Sequence, residues 1–215
     1  MTDDTFETLF LKAEYCRERG NPTGAIPMFN AAIEKAVSKT QIWLASLQIG
    51  LCFEHMGDYG QAEDVYESVL HVAQWEGNAS VEMTALRHLL SIMVHDNRTL
   101  EAIQTGHKAL AIMRSLPEPP PNAVWITHGL CKALKARQSP RDIVAKLSLQ
   151  EFKELKYARK IGVPPLHYNV WLTGWLSDMA YAHVAIGWLF LFAALCVSIA
   201  NRLSFRLKQF KTGNR

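Results

Sequence analysis

The sequence lacks the short motifs that mark common catalytic and cofactor sites. It contains no phosphate-binding loop, no HExxH helix, no GxSxG elbow and no cysteine–histidine set at zinc spacing. Its four cysteines form no CxxC pair and are scattered at Cys16, Cys52, Cys131 and Cys196. Cysteines spaced in this way are typical of buried apolar side chains in a reducing compartment. We therefore expect a protein that is not an enzyme and holds no metal or other cofactor.

Two further absences concern targeting and partners. Residues 1–10 are acidic and lack a basic segment followed by an apolar run, so no secretory signal or transit peptide is predicted. The formal charge of +3 is uneven, because residues 202–215 carry five basic residues and no acidic one. The rest of the chain is therefore weakly acidic. Such a body has no electrostatic footprint for nucleic acid, and we expect no nucleic-acid partner.

One long segment has no Asp, Glu, Lys or Arg at all, namely residues 179–200. A helix of about 22 residues is about 33 Å long, enough to cross the ~30 Å hydrocarbon core of a bilayer. Interfacial residues flank the segment, as expected at the two surfaces of a membrane. They are Trp171, Trp175, Arg202 and Arg206. We predict a single transmembrane helix over 179–201 that contacts the lipid bilayer, in preference to a buried helix of a soluble core.

The orientation of this span depends on two opposing arguments. The positive-inside rule places the basic tail in the cytoplasm. Translocating a folded body without a signal is unfavourable, however, whereas tail-anchored insertion leaves the body in the cytosol. We predict a tail-anchored, single-pass membrane protein with its body facing the cytosol. The mitochondrial outer membrane and the bacterial inner membrane both remain open.

The body contains a repeat with a period of 37 to 40 residues, seen in segments 19–36, 56–73 and 96–113. Each segment opens with a turn residue and has an alanine five positions later. The turn residues are Gly20, Gly57 and Asn97, and the alanines are Ala25, Ala62 and Ala102. The alanine must be small because the two helices of a hairpin cross there at close range. The pattern predicts a series of helical hairpins.

These features resemble the tetratricopeptide repeat (TPR) family over residues 6–135. The second unit matches best, at Ile49, Gly50, Phe53, Gly57, Asp58, Tyr59, Ala62, Tyr66, Val69 and Leu70. The resemblance implies an all-α solenoid with three clear hairpin units and a degenerate fourth after the proline-rich break at 117–121. The third unit departs from the pattern, with Leu90 and Gly106 where a small residue and an aromatic are typical.

The resemblance also implies a concave face, lined by the first helix of each unit, that binds peptides or a partner helix. By register, the predicted partner-binding residues are Phe10, Leu44, Leu47, Gln48, Leu51, His55, Arg87 and His88. The mixture of apolar and neutral to weakly basic groups suits an amphipathic helix or an extended apolar peptide. In the alternative interpretation, the leucines only pack against a neighbouring helix.

A connector follows the repeats. Ser148 and Glu151 form a capping-box pattern that predicts a helix from 148 to about 161, ended by Gly162 and two prolines. This helix either covers the end of the solenoid or lies on anionic lipid. The predicted boundaries are 1–135 for the solenoid, 136–165 for the connector, 166–178 for an aromatic interfacial segment, 179–201 for the span and 202–215 for the tail.

Two functions are compatible with this organisation. The first is a membrane-anchored scaffold or adaptor that binds protein partners in the TPR groove. The second is a permanent subunit or assembly factor of a membrane complex, whose neighbouring spans would contact His183, Gly187 and Trp175. His183 itself, an ionisable group at the start of the span, either ligates a cofactor or makes an interfacial or partner hydrogen bond, and we prefer the second role.

Overall fold

The computed structural model describes residues 5–117, 124–160, 165–183, 187, 189–191 and 193–200. These ranges form helices α1–α9, contain helical residues again between 187 and 200, and include no strand. In chain order the helices are α1 (Phe6–Glu18), α2 (Pro22–Glu34), α3 (Lys39–Met56), α4 (Tyr59–Trp75), α5 (Ala79–His95), α6 (Thr99–Ser115), α7 (Val124–Ala136), α8 (Arg141–Lys160) and α9 (Pro165–Ala182).

Local capping explains where the first four helices begin. Thr5 and Ser38 start α1 and α3 with capping boxes, in which cap and third-residue side chains satisfy each other's backbone N–H groups. Asn21 and Asp58 start α2 and α4, and each side chain accepts a backbone N–H of the first turn. These caps satisfy donors that a helix start otherwise leaves unpaired.

The turns predicted from the repeat are confirmed. Gly20, Gly57 and Asn97 have φ angles of 84°, 77° and 59°. This left-handed conformation is open to glycine and tolerated by asparagine, but it is strained for most other residues. The three turn residues therefore end α1, α3 and α5 at equivalent points of successive hairpins.

The predicted crossing is confirmed in the first two hairpins, where α1 packs on α2 and α3 on α4 and where Ala25 and Ala62 are fully buried. Ala102, the equivalent alanine of the third segment, is fully buried as well. The departure at Gly106 has a structural reason. A Cβ added there would lie 3.1 Å from Leu130, so the α7 leucine occupies the space that an aromatic fills in the other units.

The chain divides into two compact units, Met1–Ile92 (the N-terminal unit) and Met93–Arg215 (the C-terminal unit). In the N-terminal unit α1 packs on α2, α2 on α3, and α3 on α4. Its core includes Phe6, Phe10, Ala13, Ala25, Phe29, Ala32, Ala45, Ile49 and Cys52. In the C-terminal unit α6 packs on α7, and α7, α8 and α9 pack on one another. The domain boundaries from the sequence analysis stay predictions.

Helix α8 begins seven residues earlier than predicted, at Arg141 rather than Ser148. Ser148 and Glu151 do not cap a helix start, because both lie inside α8 and are fully buried. Leu149, the residue that follows Ser148, is 59% exposed. The buried face of α8 combines apolar and polar residues, because Leu155 is fully buried together with Ser148 and Glu151.

The predicted span does not form one helix. Helix α9 ends at Ala182, His183 is not helical, and the described residues between 187 and 200 are helical. Within the described ranges, no helix combines the length and apolar character needed to cross a membrane.

Close contacts show how the segment after α9 returns along this helix. A Cβ at Gly187 would lie 2.6 Å from the carbonyl oxygen of Ala180, so only glycine fits at this approach. The ring of Phe190 lies 6.4 Å from that of Trp175 and 6.2 Å from that of His183, centroid to centroid. These contacts hold the segment after α9 against the helix itself.

Candidate functional site

Five of the predicted partner-binding residues lie on one face of α3. They follow helical spacing, so their side chains stand above one another on adjacent turns. We call this set the α3 face: Leu44, Leu47, Gln48, Leu51 and His55. Leu44 is 43% exposed and His55 is exposed, whereas Leu47, Gln48 and Leu51 are half-buried. The structure thus groups these residues into one accessible strip, and their binding role stays a prediction.

Two other predicted residues, Phe10 and His88, do not lie on an accessible face. The Phe10 ring is only 8% exposed and packs between Phe6 and Phe29, each 5.4 Å away by ring centroids. His88 is also 8% exposed. The repeat register predicted both rings on an accessible face, whereas both are buried, so the accessible part of the predicted set does not include them. Their binding role stays a prediction. Arg87 is half-buried beside His88 and keeps part of its surface.

His88 belongs to a buried polar network, the Glu54 cluster, formed by Glu54, Tyr66, Arg87 and His88. The Tyr66 hydroxyl donates to Glu54 Oε1 at 2.6 Å, and His88 Nδ1 donates to the same oxygen at 2.9 Å. Arg87 then donates to the other ring nitrogen of His88. The Tyr66 and His88 rings stack with centroids 4.5 Å apart.

The network explains the pKa shifts of its members. Burial opposes ionisation of Glu54, but hydrogen bonds from His88 and Tyr66 and the charge of Arg87 outweigh it and lower its pKa. Burial lowers the pKa of His88, and the Arg87 charge adds to this effect. Burial and the Glu54 charge raise the pKa of Tyr66. The cluster therefore holds an ionised carboxylate between a neutral phenol and a neutral imidazole.

A second polar network lies inside the C-terminal unit, where α7, α8 and α9 meet. We call it the Glu151 cluster: His128 and Lys135 from α7, Glu151 from α8 and Asp178 from α9. His128 Nδ1 lies 2.9 Å from Asp178 Oδ2, and Lys135 contacts Asp178 Oδ1. Glu151 Oε1 lies 3.5 Å from His128 Nδ1, within ion-pair distance. Glu151 and Asp178 are fully buried, and the side chain of His128 is 21% exposed.

Within this cluster, Glu151 is the residue whose side chain lacks hydrogen bonds within the described ranges. Despite its ion-pair distance to His128, neither carboxylate oxygen makes a hydrogen bond of acceptable geometry with any residue that the structure describes. The hydroxyl of Ser148, one turn earlier on α8, is buried without a hydrogen bond as well. Burying polar atoms without partners costs free energy, about 1–3 kcal/mol for a neutral group and more for a charged one. The cluster therefore contains a buried carboxylate that interacts with His128 electrostatically but has no hydrogen bond within the described part of the chain.

The backbone of α9 passes close to the imidazole of His128. A Cβ added at Gly174 on α9 would lie 2.9 Å from His128 Cε1, so a larger residue would displace the imidazole.

Burial alone would lower the pKa of His128, but the hydrogen bond to Asp178 and the Glu151 carboxylate raise it to about 9. Burial and the nearby Asp178 charge raise the pKa of Glu151. The pKa of the histidine is therefore lowered in the Glu54 cluster and raised in the Glu151 cluster.

Sequence reasoning did not find the Glu151 cluster. His128, Glu151 and Asp178 are separated by 23 and 27 positions along the chain, with no short motif between them. Glu151 was interpreted as part of a capping box, and Asp178 as the limit of a membrane span. A partial signal was present, because Asp178 is the one Asp, Glu, Lys or Arg in the otherwise uncharged sequence of α9.

The predicted membrane-interface residues are only partly described. Trp175 is half-buried, donates its indole N–H to the Ser148 carbonyl oxygen at 3.0 Å, and stacks on Phe152 at 4.8 Å. It therefore packs α9 against α8 instead of standing free. The side chain of Trp171, and Arg202 and Arg206, lie outside the described residues.

Comparison with known proteins supports the fold and nothing finer. No protein-family profile matches the sequence, and no curated protein matches it. Two crystal structures of nearly identical TPR-like repeats, from a protein described as a kinesin light chain of Podosopora anserina, are similar in fold. One, of a point-substituted form, has a TM-score of 0.64 at 11% identity, over 92% of this chain and 96% of that one. The other has a TM-score of 0.62 at 11% identity, over 90% and 94%. The chain therefore has an all-helical TPR-like repeat fold.

Proposed function

We propose that this protein is a non-enzymatic protein-interaction scaffold that binds a partner through the α3 face. The observation that carries the proposal is the grouping of Leu44, Leu47 and Leu51 on one accessible strip of a TPR-like fold. TPR-like repeats serve generally as protein-binding surfaces, because stacked hairpins present their first helices side by side.

The chemistry of the α3 face selects the class of partner. Its leucines offer apolar surface along nearly two turns, and Gln48 and His55 add neutral hydrogen-bonding groups without fixed charge. An amphipathic partner helix matches this strip, because its own apolar stripe repeats at the same spacing. Arg87, half-buried on α5, would favour an acidic residue at the margin of that helix.

Site-directed photo-crosslinking in the full-length protein tests this proposal. A photoreactive residue at Leu44 or Leu51 should capture one and the same partner, whereas one at Val72 should not. Val72 is a matched control because it is 39% exposed on α4, the other helix of the same hairpin. Equal capture from all three positions would contradict binding at the α3 face.

A substitution gives an independent test. Leu44→Asp should abolish partner capture while leaving the thermal unfolding midpoint nearly unchanged, because the side chain is already half exposed. Val72→Asp should leave capture intact. If Leu44→Asp retained full capture, the leucines of α3 would be ordinary surface residues and the proposal would fail.

We further propose that residues 179–201 attach the protein to a membrane with its body in the cytosol. Support comes from a row of exposed apolar side chains followed by the basic tail, a combination that suits anionic lipid. The exposed residues are Leu189, Leu191, Leu195 and Ile199. The full chain should float with anionic lipid vesicles, and Leu191→Ser with Leu195→Ser should prevent flotation. Leu100→Ser, at a leucine 53% exposed on α6, is the control.

The orientation has its own test in eukaryotic cells. Asn97 lies at an exposed turn within an Asn-Arg-Thr sequon, so a lumenal body would present it for glycosylation. A mass shift removed by glycosidase and by Asn97→Gln would contradict a cytosolic body.

The adaptor role is favoured over a permanent subunit of a membrane complex by contacts near 179–201. The subunit role assigned Trp175, His183 and Gly187 to neighbouring spans. In the structure these residues contact Phe152, Phe190 and Ala180 of the same chain. Native mass after mild detergent extraction distinguishes the roles. A large stoichiometric assembly would favour the subunit, and a species near the mass of the chain or its dimer would favour the adaptor.

A further inference from the structure

We propose that His128, Glu151 and Asp178 form a binding site for a divalent cation of the zinc type. One ligand atom from each residue lies within 4.8 Å of the other two. The three residues come from α7, α8 and α9, so the site exists only when these helices pack together. A scaffold function does not require such a site, and the sequence analysis predicted no metal.

The spacing of the ligand atoms fits a tetrahedral ion. Zinc bonds to nitrogen and oxygen are about 2.0–2.1 Å, which places neighbouring ligand atoms about 3.3 Å apart. His128 Nδ1 lies 2.9 Å from Asp178 Oδ2 and 3.5 Å from Glu151 Oε1. These distances lie on either side of the tetrahedral value. The ligand atoms of the third pair, Glu151 and Asp178, lie within 4.8 Å of each other, so the two carboxylates would move closer together around a bound cation.

Glu151 supplies an independent indication that a ligand belongs here. Its side chain is fully buried, and both carboxylate oxygens lack a hydrogen bond within the described part of the chain. A buried carboxylate normally has several donors, because its desolvation is costly. A coordinated cation would provide the partner that the protein itself does not.

The donor set selects the kind of metal. One imidazole nitrogen and two carboxylates suit Zn²⁺ or Co²⁺, whereas Ca²⁺ and Mg²⁺ prefer six or more oxygen ligands. Lys135 contacts Oδ1 of Asp178 and leaves Oδ2 directed at His128. This contact orients the carboxylate from outside the ligand set, as supporting residues of metal sites do.

The experiment uses the full-length protein, stripped of metal and titrated with Zn²⁺ against a chromophoric chelator. Wild type should bind one equivalent tightly, and Co²⁺ in its place should give the absorption of a four-coordinate ion. Glu151→Gln, which keeps the size of the side chain, should weaken Zn²⁺ binding by about 100-fold or more, beyond what loss of a supporting residue typically causes. Asp178→Asn should have a similar effect.

A matched control separates this site from adventitious binding to surface histidines. His95 lies 3.0 Å from Asp96 on an exposed surface, so His95→Gln removes a histidine–carboxylate pair of another kind. This variant should bind Zn²⁺ like wild type. Circular dichroism checks that each variant is folded. The proposal fails if wild type binds no Zn²⁺, or if folded Glu151→Gln and Asp178→Asn proteins bind it with unchanged affinity.

Discussion

The two compact units each bury a histidine next to a carboxylate, but they satisfy the carboxylate differently. In the Glu54 cluster, two donors converge on Glu54 Oε1 at 2.6 and 2.9 Å. In the Glu151 cluster, the donors go to Asp178, and Glu151 is left without hydrogen bonds from the described residues. The comparison suggests that the first network stabilises the fold, whereas the second retains free acceptors for a ligand.

The pKa shifts follow the same division. In the Glu54 cluster, burial and Arg87 lower the pKa of His88, so the histidine stays neutral. In the Glu151 cluster, two nearby carboxylates raise the pKa of His128 to about 9 against the effect of burial. A histidine packed beside one satisfied carboxylate thus behaves as a structural hydrogen-bonding group. A histidine packed between two carboxylates is instead favoured in its protonated form.

The largest expected effect comes from removing the acceptor of the satisfied network. Glu54→Leu should destabilise the N-terminal unit by about 3 kcal/mol, because it leaves the Tyr66 hydroxyl and the His88 N–H buried without an acceptor. Hydrogen exchange of α3 and α4 amides measures this unit separately. Glu54→Gln, which keeps an acceptor oxygen, should cost clearly less. Equal losses of stability in Glu54→Leu and Glu54→Gln would contradict a hydrogen-bonding role for Glu54.

A smaller loss is expected from crowding the same network. A Cβ at Gly50 would lie 2.5 Å from the Tyr66 ring, which is fully buried and has no space to retreat. Gly50→Ala should destabilise the N-terminal unit by about 1–2 kcal/mol, because overpacking exceeds the gain in helix propensity. Gly60→Ala on α4 is the control, since its nearest neighbour would be 3.9 Å away. Hydrogen exchange should show no loss of stability in the Gly60→Ala variant.

Acidification should weaken the Glu54 cluster. The folded-state pKa values of Glu54 and His88 both lie below their ordinary values of 4.5 and 6.5. Unfolded chains therefore bind more protons, and the contributed stability is full above about pH 6.5 and falls as the pH drops through the folded-state pKa values. The His88→Gln variant should lose the part of this dependence that begins near pH 6.5. An unfolding midpoint that rose on acidification would contradict the assignment.

The smallest expected effect is at the unsatisfied carboxylate. Glu151→Leu should change the stability of the metal-free protein by less than about 1 kcal/mol, because it removes a buried acid that makes no hydrogen bond to the described residues. The change in stability caused by Glu151→Leu is to be compared with that caused by Glu54→Leu. A loss as large as that of Glu54→Leu would show that Glu151 is a structural partner of His128 and that the two clusters are alike.

The hairpins were predictable because their signals are local. Glycine or asparagine at the turn and alanine five residues later act within a single hairpin, and the structure confirms both at Gly57 and Ala62. The start of α8 was not predictable in this way. Ser148 and Glu151 have the spacing of a cap, but the same spacing also places two side chains on one helix face.

The sequence by itself therefore determined the helical repeat, because helix periodicity, caps and turns depend on neighbouring residues. Tertiary structure alone decided that Phe10 and His88 are buried, that α9 ends before His183, and that His128, Glu151 and Asp178 meet. Each of these outcomes depends on which helix faces pack together, and residues more than 20 positions apart leave no local pattern that reports it. Hydropathy likewise measures how apolar 179–200 is, but it does not report the close approach of Gly187 to the Ala180 carbonyl oxygen.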